Sequence, residues 1–192
     1  GALNRLPTEP ARVAGNVKRR VGDTTPLVLG GHPVSPELLL SKVMTTVVER
    51  AAQERGGYPH AIALTHPANW GPYKREVFAQ ALSMAGLTGA STLSEPEAAA
   101  IAYARVEHVP PGAVLAVYDF GGGTFDAAVV TRETGGFTVR GTPTGVERLG
   151  GIDIDAAVVA HVVDVAAIDT ESAAGDARMA NSIAALQQAC VV

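Results

Sequence analysis

The chain has 192 residues, enough for one large domain or two lobes with a substantial core. Its 47% hydrophobic and 18% charged residues exclude a disordered chain, and a formal net charge of −4 leaves no basic footprint for nucleic acid. A single cysteine, Cys190, excludes an intrachain disulfide, and the sequence holds no Cys/His cluster of metal-ligand spacing. A reducing compartment is the simplest expectation. No apolar run reaches the length of a membrane span, and the first residues lack the apolar stretch of a signal peptide. The sequence starts at Gly1 without methionine and stops inside an expected helix, so a piece of a longer protein is expected.

Residues 1–34 are rich in Pro, Gly and Arg and read as loop, with one short strand at Pro26 to Leu29. Ser35 then sets up an N-cap with Pro36 in the first turn, where a missing N–H costs nothing. Leu39, Leu40, Val43, Met44, Val47, Val48 and Ala51 follow at helical spacing until Gly56-Gly57. Ala61 to Thr65 reads as a short buried strand, and His66-Pro67 forces an extended exit from it. A second helix from about Pro72 to Gly86 is expected to bury Val77, Phe78, Ala81, Leu82 and Ala85. Ser94-Glu95-Pro96-Glu97 has capping-box spacing and opens a third helix through Tyr103. Pro110-Pro111-Gly112 breaks the chain and marks a boundary between two lobes. Two strands follow, Ala113 to Val117, expected to be buried, and Phe125 to Thr131, then a third at Phe137 to Gly141. After Gly150-Gly151, Asp153 is placed to cap a helix through Ala167, and a last helix runs from Ala177. The order gives an α/β chain without internal repeats.

The stretch Tyr118-Asp119-Phe120-Gly121-Gly122-Gly123-Thr124-Phe125-Asp126 is the centre of this pattern. Consecutive glycines allow backbone N–H groups to point at one spot and a ligand to approach closely, which suits a phosphate. Asp119 and Asp126 would repel a bare anion but suit one carrying Mg²⁺. On spacing alone, an ordinary glycine-rich hairpin explains the stretch equally well. It matches neither GxxxxGK[ST] nor GxGxxG.

Lys18, Glu95, Asp119 and Asp126 are the charged candidates to converge on the glycine turn. As a set they fit phosphoryl transfer to water. The amides would hold phosphate oxygens, Mg²⁺ would sit near Asp119, Lys18 would stabilise developing charge, and Glu95 would orient the water. Singly, each has a plainer explanation: Glu95 complements a helix dipole, and Lys18 is a surface lysine.

The strings themselves carry more than their spacing. Asp119 to Asp126 resembles the second phosphate motif of the 70-kDa heat-shock chaperone family, within the actin and sugar-kinase superfamily. Asn16 to Gly22 resembles the segment that carries the family's catalytic lysine, on which Lys18 falls. Ala63-Leu64-Thr65-His66-Pro67-Ala68 resembles "TVPA", placing Pro67 on the switch proline and Arg75 on the relay arginine. Leu93 to Tyr103 resembles "INEPTAAALAY", with Glu95 on the glutamate beside the hydrolytic water, and Leu149 to Asp155 resembles "LGGEDFD". Ile183 to Val192 resembles the start of the adenosine-contacting helix.

This resemblance implies an incomplete actin-like (ribonuclease H-like) ATPase fold, with residues 1–109 in lobe I and 110–192 opening lobe II. It implies catalytic roles for Lys18, Glu95 and Asp119, with Asp119 also holding Mg²⁺ through water. Gly121, Gly122, Gly123, Thr124, Asp126, Gly150 and Gly151 would bind ATP or ADP, and Pro67 and Arg75 would couple the site to the rest of the molecule. The implied parent is a cytoplasmic ATPase chaperone that meets unfolded clients, a J-domain co-chaperone and a nucleotide-exchange factor, while this chain alone is expected to be inactive. The family's first phosphate loop would lie before Gly1, and its adenosine loop beyond Val192.

Departures are specific. Asn69 stands where the family has an aromatic residue, although Trp70 follows; Glu97 replaces a threonine; His66 replaces an aliphatic residue and is expected to be a partly buried, satisfied histidine. Asn69 and Glu97 keep open a non-catalytic nucleotide-sensing or scaffold module of the same fold. A sugar kinase is the third alternative.

Overall fold

Ser35 shows how directly the local sequence sets the elements. Its hydroxyl accepts from the Leu38 N–H, Pro36 occupies the first turn, and Gly56 at φ 75° closes the helix α1, Pro36–Arg55, in the left-handed conformation that favours glycine. In this computed structural model the described residues are 9–168, together with 185, 186 and 189. Of the expected last helix from Ala177, residues 185, 186 and 189 are helical, and the rest lies outside the described residues.

The first stretch is more ordered than its composition implied. It holds two 3-10 turns, Pro10–Arg12 and Val17–Arg20, and a hairpin of β1, Leu27–Leu29, and β2, His32–Val34. Leu29 faces His32 across a Gly30-Gly31 loop with φ of 59° and 85°, the pair of left-handed residues a type I′ turn needs. Next come α1, β3 (Ala63–His66), α2 (Pro72–Met84), β4 (Ser91–Ser94) and α3 (Glu95–Tyr103). β4 is a strand parallel to β3, with His66 beside Ser94. The chain then forms β5 (Val114–Phe120), β6 (Phe125–Glu133), β7 (Gly136–Val146) and α4 (Gly151–Val165). These last three strands make one sheet in the order β5-β6-β7.

The chain divides into two units. One comprises Gly1–Asp119 with Asp126–Gly145, the other Phe120–Phe125 with Val146–Val192. Within the first, α1 and α2 pack with β3 around Val21, Met44, Trp70, Val77, Phe78 and Leu82. Leu64 of β3, Ala85 and Leu87 line its margin. A second cluster forms where Ala100 of α3 and Ala104 at its C-cap meet Leu115, Val117, Val130, Phe137 and Val139 of the sheet. The small α3 side chains permit that close approach.

Two burial expectations need correction. α1 buries Pro36, Ser41, Met44 and Ala52, whereas Val43 and Val47 are half or more exposed, because the helix meets α2 along only one stripe. β5 alternates half-buried Leu115 and Val117 with exposed Val114, Ala116 and Tyr118. It is an edge strand with α3 against one face. The expected cap at Asp153 is also displaced. Gly150 is the N-cap of α4, with no side-chain cap, and Asp153 lies in the first turn, where its charge suits the helix dipole.

Candidate functional site

Lys18 sits in the Val17–Arg20 turn, which is entered through Asn16 in the left-handed conformation and followed by Val21, a residue 1% exposed in the core. That anchor fixes the turn. Glu95 is the first residue of α3, held by a complete capping box: Ser94 Oγ accepts from the Glu97 N–H, and Glu97 Oε2 accepts from the Ser94 N–H at 2.9 Å. Ser94 is itself buried, so the cap ties the helix start to the core. Across 77 residues of sequence, Lys18 Nζ meets Glu95 Oε1 at 2.8 Å and Oε2 at 2.9 Å. With the lysine side chain 42% exposed, this pair contributes well under about 1 kcal/mol to stability.

Of the four charged candidates, the structure therefore brings Lys18 and Glu95 together. Asp119 and Asp126 lie outside that ion pair on neighbouring strands, Asp119 late in β5 and Asp126 early in β6. Asp119 is exposed at the end of β5, although the alternation of the strand puts it on the side of half-buried Leu115 and Val117. Asp126 is the buried one, at 9% exposure. The carboxylate of Glu97 is drawn back to Ser94 and serves the helix start.

The glycine turn belongs to the second unit. The Gly121 N–H donates to Thr124 O at 3.0 Å, closing it. None of its three glycines is among the positive-φ residues, so the turn does not need glycine for its backbone angles. A Cβ on Gly122 would meet nothing within 4 Å. Gly150 and Gly151 reach this turn through the backbone. Gly151 donates its N–H to Gly121 O at 3.0 Å, and Ile152 to Gly122 O at 2.9 Å.

Pro67 is buried where β3 ends, and its carbonyl accepts from the Trp70 N–H at 3.2 Å and from His66 Nδ1 at 2.9 Å. The His66 ring lies parallel to Trp70 with centroids 6.1 Å apart and edge-on to Phe78 at 5.8 Å. His66 is thus half-buried and hydrogen-bonded, as the sequence implied. Trp70, which follows Asn69, is 8% exposed and belongs to the core cluster. Arg75 lies on the exposed side of α2. Sequence reasoning missed that the Gly150-Gly151 step braces the glycine turn; the doubled glycine before an apolar helix was its only signal. Among the described residues there is no group of three or more His, Cys, Asp or Glu placed to hold a metal ion.

These features define a mixed α/β protein in which a helix start supports a glycine turn and a lysine is paired with a distant glutamate. The profile of the family described as "Hsp70 protein" matches residues 10–191. A chaperone protein HscA homolog of Pseudomonas fluorescens is 34% identical over 158 residues, covering 82% of this chain and 24% of that protein. Another HscA homolog, of Pseudoalteromonas atlantica, is 39% identical over 131 residues, 68% of this chain and 21% of the relative. A heat shock 70 kDa protein of Emericella nidulans is 37% identical over 129 residues, 67% of this chain and 20% of the relative. The chain belongs to the Hsp70 family and represents part of its nucleotide-binding domain. It spans about a quarter or less of the length of these relatives.

Proposed function

We propose that the full-length protein is an Hsp70-type chaperone that binds and hydrolyses Mg·ATP, using this chain as part of an actin-like ATPase fold. Residues 1–109 would form most of a first lobe and 110–192 the opening half of a second. The observation that carries this proposal is the contact between Lys18 and Glu95. Family resemblance gives these two residues adjoining tasks in one chemical step, and they meet although 77 residues separate them.

The roles follow from the chemistry of each group. Amides of Gly121 to Thr124 hold phosphate oxygens, and the bare Gly122 leaves room for close approach. Lys18 leaves Glu95 for the transferring phosphoryl group, where its charge opposes the developing negative charge. Both Glu95 oxygens then become available to accept hydrogen bonds from water and orient it for attack. Asp119, an exposed carboxylate, would hold Mg²⁺ through that ion's water shell, and the ion would neutralise charge on the phosphates. Magnesium needs only one or two protein carboxylates beside its substrate and waters.

Pro67, held on both sides of its carbonyl, and Arg75 on α2 are the proposed coupling residues that carry lobe closure to client binding. Unfolded clients, a J-domain co-chaperone and a nucleotide-exchange factor are the proposed partners, in a cytoplasmic setting. No helix among the described residues is long and apolar enough to cross a membrane.

Calorimetric titration of Mg·ATP and Mg·ADP into the full-length protein, with phosphate release followed in parallel, tests the proposal. Binding with release supports it. Binding without release would replace it by a nucleotide-sensing module, and no binding would overturn it.

A further inference from the structure

Gly150 has φ −169° and ψ −174°, extended backbone that any residue adopts. Its conformation therefore does not require glycine. Its surroundings do: a Cβ there would lie 2.6 Å from Gly123 N, 2.7 Å from Gly122 C and 2.8 Å from Gly121 O. All three are backbone atoms of the glycine turn, so no side chain can swing aside. Gly150 is buried as well.

The same step of chain holds the turn by hydrogen bonds. Gly121 O and Gly122 O are acceptors for the first two amides of α4, Gly151 at 3.0 Å and Ile152 at 2.9 Å. These N–H groups have no partner inside their own helix, so the turn supplies one to each. A trans peptide is planar, with its C=O and N–H pointing in opposite directions, and the described chain has no cis peptide. Fixing the carbonyls of Gly121 and Gly122 toward α4 thus turns the N–H of Gly122 and that of Gly123 to the opposite side. Two successive amides turned the same way form an anion-binding nest. The positive end of the α4 dipole also falls on carbonyl oxygens, which polarises the peptides in the sense that strengthens those N–H groups as donors.

We propose that Gly150 is a positioning residue: by lacking a Cβ it lets the start of α4 clamp the Gly121–Gly122 and Gly122–Gly123 peptides so that their amides face the phosphates. This rests on the phosphate-binding role proposed above for the turn. Gly150 then acts through the turn without touching nucleotide, and the first amides of α4, which resemble a phosphate-binding helix end, are engaged by protein carbonyls.

The test compares Gly150→Ala, Ile152→Pro and Ile152→Ala with the unsubstituted full-length protein. Proline at 152 removes the N–H that reaches Gly122 O, at the helix position that Pro96 already occupies in α3. Alanine at 152 removes the same side chain and keeps the N–H, so the difference between the two variants reads the hydrogen bond. Each protein is titrated with Mg·ADP by calorimetry, and the ¹H–¹⁵N resonances of Gly122 and Gly123 are recorded without nucleotide. The Kd is expected to rise at least about tenfold in Gly150→Ala, and in Ile152→Pro relative to Ile152→Ala, with both amide resonances displaced. A purely structural defect would lower the folded fraction and leave the Kd of the folded protein unchanged. Matching Kd values and resonances in Ile152→Pro and Ile152→Ala would overturn the clamp, even if Gly150→Ala failed to fold. If the unsubstituted protein binds no Mg·ADP, the nucleotide proposal falls, and the amide resonances alone decide for or against the clamp.

Discussion

Lys18 Nζ lies 2.8 Å from one Glu95 carboxylate oxygen and 2.9 Å from the other, so each residue neutralises the other's charge in the protein without nucleotide. The pair stabilises the fold little, since the lysine is well exposed, and the mutual positions come from Val21 in the core and the Ser94 cap. What the pairing provides is a defined starting place for the two groups to which separate catalytic tasks are proposed.

Lys18→Ala should therefore leave stability within about 1 kcal/mol of the unsubstituted protein. Phosphate release in single-turnover experiments should fall by about a hundredfold or more, with Mg·ADP affinity largely retained. Unchanged turnover would remove Lys18 from the mechanism.

Glu97 is a second acidic residue in the first turn of α3, and its carboxylate is bound to Ser94. Glu97→Ala should cost about 0.5–2 kcal/mol, read as a lower denaturant midpoint at unchanged slope. Ser94→Ala should cost a similar amount, and the double variant less than the sum of the two, because both remove one reciprocal cap. Nucleotide affinity should not follow these losses. A gain in Mg²⁺ affinity in Glu97→Ala would instead place that carboxylate at the metal.

What the sequence disclosed depended on how local each cause was. The caps at Ser35 and Ser94 depend on residues within one turn of each other, and both α1 and α3 start where those signals stand. The Gly30-Gly31 loop carried an equally local hairpin signal; β1 falls within the strand expected at Pro26 to Leu29, whereas β2, three residues with a central proline, is too short for its alternation to register. β4 became a strand through its parallel neighbour β3, a partner 28 residues away that no local pattern reveals. Burial failed for the same reason. Val43 and Val47 have helical spacing yet are 50% and 61% exposed, and Asp119 is exposed at the end of an edge strand although it shares the side of half-buried Leu115 and Val117. At the candidate site, family strings located Lys18 and Glu95, whereas the bracing of the glycine turn by Gly150 depends on backbone atoms that no residue type encodes.

Gly122→Ala separates ligand approach from folding. A Cβ there touches nothing within 4 Å, and the residue takes no positive φ, so the thermal midpoint should stay within a few degrees of the unsubstituted protein. Mg·ADP affinity should fall about tenfold or more, since the methyl group would occupy the space a phosphate oxygen needs. Undiminished affinity would mean that the turn is an ordinary glycine-rich hairpin.

Phe78 tests the support beneath Pro67. Its ring is edge-on to His66 and to Trp70, both at 5.8 Å, and it is 5% exposed in the cluster that joins α2 to α1 and β3. Phe78→Ala should cost about 3–5 kcal/mol, as for other buried aromatic truncations. Trp70 is the only tryptophan in the chain, so the loss of its Phe78 contact should appear directly as a change in intrinsic fluorescence at low denaturant. His66 and Trp70 each hold the Pro67 carbonyl, one by its ring and the other by its backbone N–H. If Pro67 couples nucleotide state to the rest of the molecule, Phe78→Ala should weaken client-stimulated phosphate release more than basal release. Leu82→Ala, which removes a comparably buried side chain from the same cluster and leaves all three rings in place, should reduce stability and leave that ratio unchanged. Equal loss of the ratio in both variants would confine the aromatic trio to packing.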